Sequence, residues 1–269
     1  MRGRSQAIGA AVITTALPLL NWLGTAIVSL VILRKGASEG LLVLGCAILP
    51  LAIATYYVGD PSAIIALIGT ALMAYLLRVT VSWEVTLVSV IVIAGVGSLV
   101  FEFTAVEIVK AIVEWYRELT SGVDMTFEEA KSMMLGFFAM GQAYAMLALL
   151  ILARWWQSSL YNPGGFQEEF HQLRLSPVIS TPLVLTMFVC FYFSEQLGRW
   201  IPLLTVPLIL SAVAFVHWAI KFKSLTTGWL VTFYMLVLLL FQLVYPVLAA
   251  IALLDSWVNL REKIQSKGD

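Results

Sequence analysis

The chain has 269 residues, 61% of them hydrophobic and 12% charged, with sixteen basic residues balancing sixteen acidic ones. Soluble domains carry roughly 45–50% apolar and about 25% charged residues, so the composition excludes a water-soluble globule. Zero net charge leaves no basic field for nucleic acid.

Mean hydropathy is +0.93. Apolar runs of about 20 residues, long enough to cross about 30 Å of hydrocarbon, recur along the whole length. The expected fold is all-α: a polytopic transmembrane helical bundle of one domain, 1–269, with eight spans (nine if the first run is a hairpin) and interfacial amphipathic helices. The expected location is a bacterial cytoplasmic (inner) membrane, multi-pass, in contact with the lipid bilayer.

Met-Arg-Gly-Arg followed by an apolar run resembles a signal peptide without a clear cleavage site, and reads as an uncleaved first helix. Residues 7–33 make about 40 Å as one helix. Pro18, Asn21 and Gly24 fall in its middle and could kink it or divide it. One broken helix is the preferred reading, ended by Arg34-Lys35-Gly36.

Spans follow at 41–58, 62–77 and 83–103. The second is preceded by Asp60-Pro61, an N-cap with proline after it. The third carries Ala94, Gly95, Gly97 and Ser98, which let a neighbouring helix approach closely.

Residues 104–119 alternate charged and apolar faces at three- and four-residue steps. Glu107, Lys110, Glu114, Arg117 and Glu118 oppose Val106, Val109, Ile112, Val113 and Tyr116. That pattern predicts an amphipathic helix lying in the interface. Thr126 to Glu129 forms a capping-box pattern, which opens a helix over 127–157 with small residues Gly136, Ala139 and Ala143 on one face.

A polar excursion follows. Asn162-Pro163-Gly164-Gly165 supplies a turn, and 166–175 reads as an interfacial foot. Its aromatics Phe166 and Phe170 join Trp155, Trp156 and Tyr161 as headgroup anchors. The last spans are placed at 178–193, 200–220 and 229–254. With Arg2 and Arg4 inside, basic residues through Lys267 divide almost evenly between the two sides for either span count. The positive-inside rule therefore does not choose, and the basic tail tips the balance towards two cytoplasmic ends.

Polar groups near membrane depth are the natural site candidates, because they are costly unless paired or functional. Those selected for substrate or partner binding are Arg154, Gln157, Asn162, Glu195, Arg199, Asp255 and Arg261. Glu195 and Arg199, four apart, could pair if their turn is helical. Deeper uncharged candidates are Asn21, Gln142, Thr186 and Gln242. Cys46 and Cys190 sit in apolar runs as small hydrophobes. No His-Glu-x-x-His, Gly-x-Ser-x-Gly or Walker sequence occurs, and there are two histidines in all. An enzyme, a metal and a cofactor are not expected.

Arg154-Trp155-Trp156-Gln157, Tyr161-Asn162-Pro163-Gly164-Gly165-Phe166, and Leu253-Leu254-Asp255-Ser256-Trp257 with Arg261 resemble the YybS-like family of bacterial multi-spanning membrane proteins. That family is distantly similar to the substrate-binding S components of energy-coupling-factor transporters. The resemblance implies a bacterial cytoplasmic-membrane protein without an assigned activity. The analogy to S components implies small-molecule transport or membrane substrate binding with a membrane-protein or ATPase partner. Prolines inside or beside several spans (Pro18, Pro50, Pro182, Pro207 and Pro246) point the same way, since broken helices expose backbone groups that can bind substrate. The alternative is a non-transporting scaffold or assembly factor, using the amphipathic helix and the foot as its partner surface.

Overall fold

The computed structural model describes residues 3–122 and 124–266; Arg2 and Lys267 of the charge comparison lie outside them. The described residues are helical with short connections and no strand. They form two compact units, Met1–Pro163 and Gly164–Asp269. The boundary falls within the Asn-Pro-Gly-Gly turn, and no change in apolar density marks it.

The first unit holds α1 (Arg4–Ala16), α2 (Asn21–Lys35), α3 (Ala37–Val58), α4 (Ser62–Thr80), α5 (Trp83–Thr104), α6 (Val106–Leu119) and α7 (Phe127–Tyr161). Residues 7–33 are not one broken span. Leu17 to Leu20 reverse the chain, and α1 and α2 pack against each other as an antiparallel hairpin. Two features of the sequence allow this. Pro18 cannot continue α1. Gly24 lets the helices close, since a Cβ there would lie 2.3 Å from Thr15 Cγ2 and 3.2 Å from the Ala11 carbonyl oxygen.

The two arms have 13 and 15 residues, about 20 and 23 Å in length. Both fall short of about 30 Å of hydrocarbon. α2 nevertheless lies in the middle of the unit, packed on α1, α3, α4 and α7, with Ala26, Val28 and Ser29 fully buried.

Other expectations hold in this unit. Thr126 and Glu129 form the reciprocal capping box. The start of α4 differs by one residue from the expected cap: Pro61 is the N-cap rather than the first helical residue, and Asp60, just outside it, accepts from the Ser62 amide at 2.8 Å. The small residues of α5 and α7 are packing surfaces: Ala94, Ala139 and Ala143 are fully buried, and Ser98 Oγ donates to the Leu135 carbonyl at 3.1 Å. At 35 residues α7 is about 52 Å long. Its N-terminal part extends past the other spans, where α6 packs on it through Val109 and Val113. Lys131 joins Glu102 across α5 and α7 at 3.0 Å.

The second unit holds α8 (Gly165–Gln172), α9 (Pro177–Tyr192), α10 (Ser194–Leu197), a 3-10 turn (Gly198–Trp200), α11 (Ile201–Phe222), α12 (Gly228–Leu239), α13 (Phe241–Val258) and α14 (Leu260–Gln265). α11 supplies the core, with Leu203, Val206, Leu208 and Ala212 buried. The predicted span 229–254 is divided at Leu240. α12 has 12 residues, none buried, and at about 18 Å is too short to cross.

Among the described residues six helices are long and apolar enough to span a membrane, or seven if α8 and α9, bent by 58°, count as one broken span. The count stays below eight because neither arm of the α1–α2 hairpin qualifies and α9, at 16 residues, qualifies only together with α8. α13 alone represents the span expected at 229–254. The protein is a multi-pass, all-helical membrane protein.

Pro50, Pro182, Pro207 and Pro246 lie inside continuous helices. Prolines are tolerated there because neighbouring helices and local adjustment satisfy the freed carbonyls. Of the prolines inside the expected apolar runs, Pro18 alone coincides with a break.

Candidate functional site

The hairpin brings residues from four stretches of the first unit to one end. Arg4 opens α1, Arg34 and Lys35 close α2, Glu39 lies in the first turn of α3, and Leu160 and Tyr161 close α7. Together with Ala7, Leu30, Val31 and Val43 they line an open cavity of about 540 Å³. The lining combines charged side chains with aliphatic and aromatic ones.

Within it, Arg4 Nε sits 3.3 Å from Glu39 Oε2. The Arg34 guanidinium lies 4.1 Å above the Tyr161 ring centroid, a cation–π contact that occupies the face of the guanidinium. Lys35 forms no ion pair among the described residues.

Beside the cavity, the end of α2 is secured by polar side chains. Arg78 donates to the Leu33 carbonyl, Gln157 Nε2 donates to the same oxygen at 3.4 Å, and Arg154 Nη1 donates to Gln157 Oε1 at 2.6 Å. Cations suit the negative end of a helix dipole. These contacts hold α2 at its depth and set the position of Arg34 and Lys35. Arg154 and Gln157, expected as binding residues, lie outside the cavity lining and are joined to each other and to the end of α2. Asn162 is exposed and ends α7, its carbonyl accepting from Ser158 Oγ at 2.7 Å.

The same end of the unit gathers Arg4, Arg34, Lys35, Arg78 and Arg154 against two carboxylates, Glu39 and Glu84. The opposite end carries Lys110, Arg117 and Lys131 against Asp60, Glu102, Glu107, Glu114, Glu118, Asp124, Glu128 and Glu129. The unit has a cationic end and an acidic end.

Asp255 and Arg261 meet in the second unit. Asn259, in the left-handed region at φ 51°, turns the chain after α13 so that α14 folds back. Arg261 Nε then lies 3.0 Å from Asp255 Oδ2, Nη2 donates to the Leu173 carbonyl at 2.7 Å, and Nη1 donates to the His171 carbonyl. Arg174 Nη1 reaches the Asp255 carbonyl at 3.3 Å, and Ser180 and Ser256 share a hydrogen bond of 2.6 Å.

Asp255 is fully buried and Arg261 8% exposed. Burial draws the Arg261 pKa down from the ordinary arginine value, and Asp255 opposes that shift. The guanidinium remains charged. The motif works as an internal clamp: through one carboxylate and two backbone carbonyls Arg261 fastens the extended stretch after α8 to the end of α13.

The foot ends sooner than expected. α8 stops at Gln172, and Leu173 and Leu175 are buried outside the helix. Phe166 packs on Phe170 at 5.8 Å, and Phe170 meets the His217 ring of α11 edge-on at 5.3 Å. These two aromatics are half-buried within the unit. Trp155 and Tyr161 are exposed and Trp156 half-buried.

Among the described residues no ion pair joins Glu195 to Arg199, and the Arg199 guanidinium lies 4.6 Å over the Trp200 ring. The deeper amides do not converge on a site. Gln242 is exposed, the Thr186 hydroxyl bonds back to the Pro182 carbonyl at 2.9 Å, and Gln142 Oε1 is buried without a partner among the described residues.

Arg4, Arg34, Lys35 and Glu39 were not among the sequence candidates. Arg34-Lys35 reads only as the end of an apolar run until the hairpin returns Arg4 to it. No family model, curated protein or solved structure matches the chain.

Proposed function

We propose that this protein binds a small molecule at the cationic end of its first unit, as a membrane substrate-binding protein or small-molecule transporter of a bacterial cytoplasmic membrane. The observation that carries this reading is the cavity of about 540 Å³ between the hairpin, α3 and the end of α7. Its volume falls within the range of roughly 300–1,000 Å³ typical of ligand sites. Its lining pairs apolar walls with a few charged groups, the combination such sites use for affinity and orientation.

The resemblance to the YybS-like family, and through it to S components, supports the same reading. Energy for transport would then come from an ATPase partner, since the chain has no Walker sequence. Among the described residues five basic side chains lie at the cavity end against three at the other, which supports a cytoplasmic position for the cavity by the positive-inside rule.

Thermal unfolding of the purified protein across a metabolite panel tests this. A ligand at one hundred times its Kd adds about 2.7 kcal/mol, a rise of roughly 5–10 °C for a domain of this size. Val31→Trp, which fills the cavity, should abolish the rise. No response from the native protein, or an equal response from Val31→Trp, contradicts the reading.

A further inference from the structure

We infer that the ligand of this cavity carries a phosphate monoester on an apolar body. The inference rests on the cavity being a ligand site and adds the chemistry of the occupant. The lining sets Arg4, Arg34 and Lys35 against the single carboxylate of Glu39, an excess of two positive charges. A phosphate monoester carries about −1.5 to −2 near neutral pH, which matches that excess; a monoanion leaves part of it unanswered.

The excess is not consumed inside the unit. Arg4 already answers Glu39. The donors of Arg34 and Lys35 make no hydrogen bond among the described residues, with Arg34 held only through its face on Tyr161. An arginine fixed at its face with its N–H edges open suits planar, bidentate recognition of phosphate oxygens, and a neighbouring lysine adds a point charge. Leu30, Val31 and Leu160 supply the wall for the apolar body.

Two sources share this chemistry: phosphatidic acid of the bilayer, and a soluble phosphorylated metabolite. The test uses the full chain in nanodiscs of phosphatidylcholine, with phosphatidic acid added to one set and phenyl phosphate titrated into another. Phenol serves as the neutral control, and bound ligand is read by native mass spectrometry and calorimetry. Arg34 and Lys35 are exposed, so Arg34→Gln/Lys35→Gln should fold normally.

The expected result is that one anion binds at least tenfold tighter than its neutral counterpart. The double variant should lose that margin, and added salt should erode it. Preference for phosphatidic acid names the lipid headgroup, and preference for phenyl phosphate names a soluble ligand. Equal binding of anion and neutral control, or a double variant that behaves as the native chain, overturns the phosphate inference. In that event a neutral ligand excluded by Val31→Trp still supports the cavity as a site, whereas indifference to Val31→Trp as well removes both.

Discussion

Arg261→Ala should cost the second unit about 3–5 kcal/mol, the loss expected when one partner of a buried ion pair is removed. In thermal unfolding of the purified protein this is a fall of roughly 10–30 °C for a unit of about 100 residues. The size follows from what remains. Asp255 is fully buried, its Oδ1 accepts no hydrogen bond among the described residues, and Arg261 is the cation at Oδ2. The His171 and Leu173 carbonyls lose their donors in the same step.

The control is Asp255→Ala/Arg261→Met. Removing both charges together should leave the unit more stable than Asp255→Ala or Arg261→Ala alone, a coupling that a double-mutant cycle isolates. A change within about 1 kcal/mol for Arg261→Ala is the value of an exposed pair, and would show that the clamp is open to water.

Gly24→Leu should prevent the hairpin from closing. Even a Cβ at Gly24 meets Thr15 Cγ2 at 2.3 Å and the Ala11 carbonyl at 3.2 Å. Thr15 cannot rotate aside cheaply, because it is β-branched and its hydroxyl is bonded to that same carbonyl at 2.8 Å. Overpacking of this kind costs about 1–3 kcal/mol or more. Here it also separates Arg4 from Arg34, so ligand stabilisation at the cavity should vanish along with some thermal stability. Gly45→Ala is the matched control. Nothing lies within 4 Å of a Cβ there, and alanine gains roughly 0.5–1 kcal/mol over glycine inside a helix. Gly24→Leu with native stability and an intact ligand response would mean that the two arms are not held in contact.

The local signals in the sequence were reliable where one element decided the outcome. The period of charged and apolar residues located α6, the Thr126–Glu129 capping box started α7, and small residues marked the faces on which α5 and α7 meet. The hairpin was ambiguous for a physical reason. A 27-residue apolar run (7–33) reads alike as one tilted span or two short arms, because lipid and a protein interior favour the same side chains.

The division at Leu240 has no proline or glycine beside it to announce it. The prolines that are visible mislead, since four of them sit within intact helices. Asp255 and Arg261 stand out in the sequence for their cost in a membrane, and they meet that cost in part through each other and through the His171 and Leu173 carbonyls. Arg4, Arg34, Lys35 and Glu39 become a site only through chain reversal at Leu17 to Leu20, a tertiary event.

The most direct measurement is the sidedness of single cysteines introduced at Ser5, Ser38 and Ser121 in a Cys46→Ser/Cys190→Ser background, read in intact cells with membrane-permeant and impermeant maleimides. All three serines are exposed. The account predicts that positions 5 and 38 are shielded from the impermeant reagent together, on the cytoplasmic side, and that position 121 reacts from outside. Labelling of 5 and 38 from opposite sides would mean that residues 7–33 cross the membrane once, and the cationic cavity could not exist.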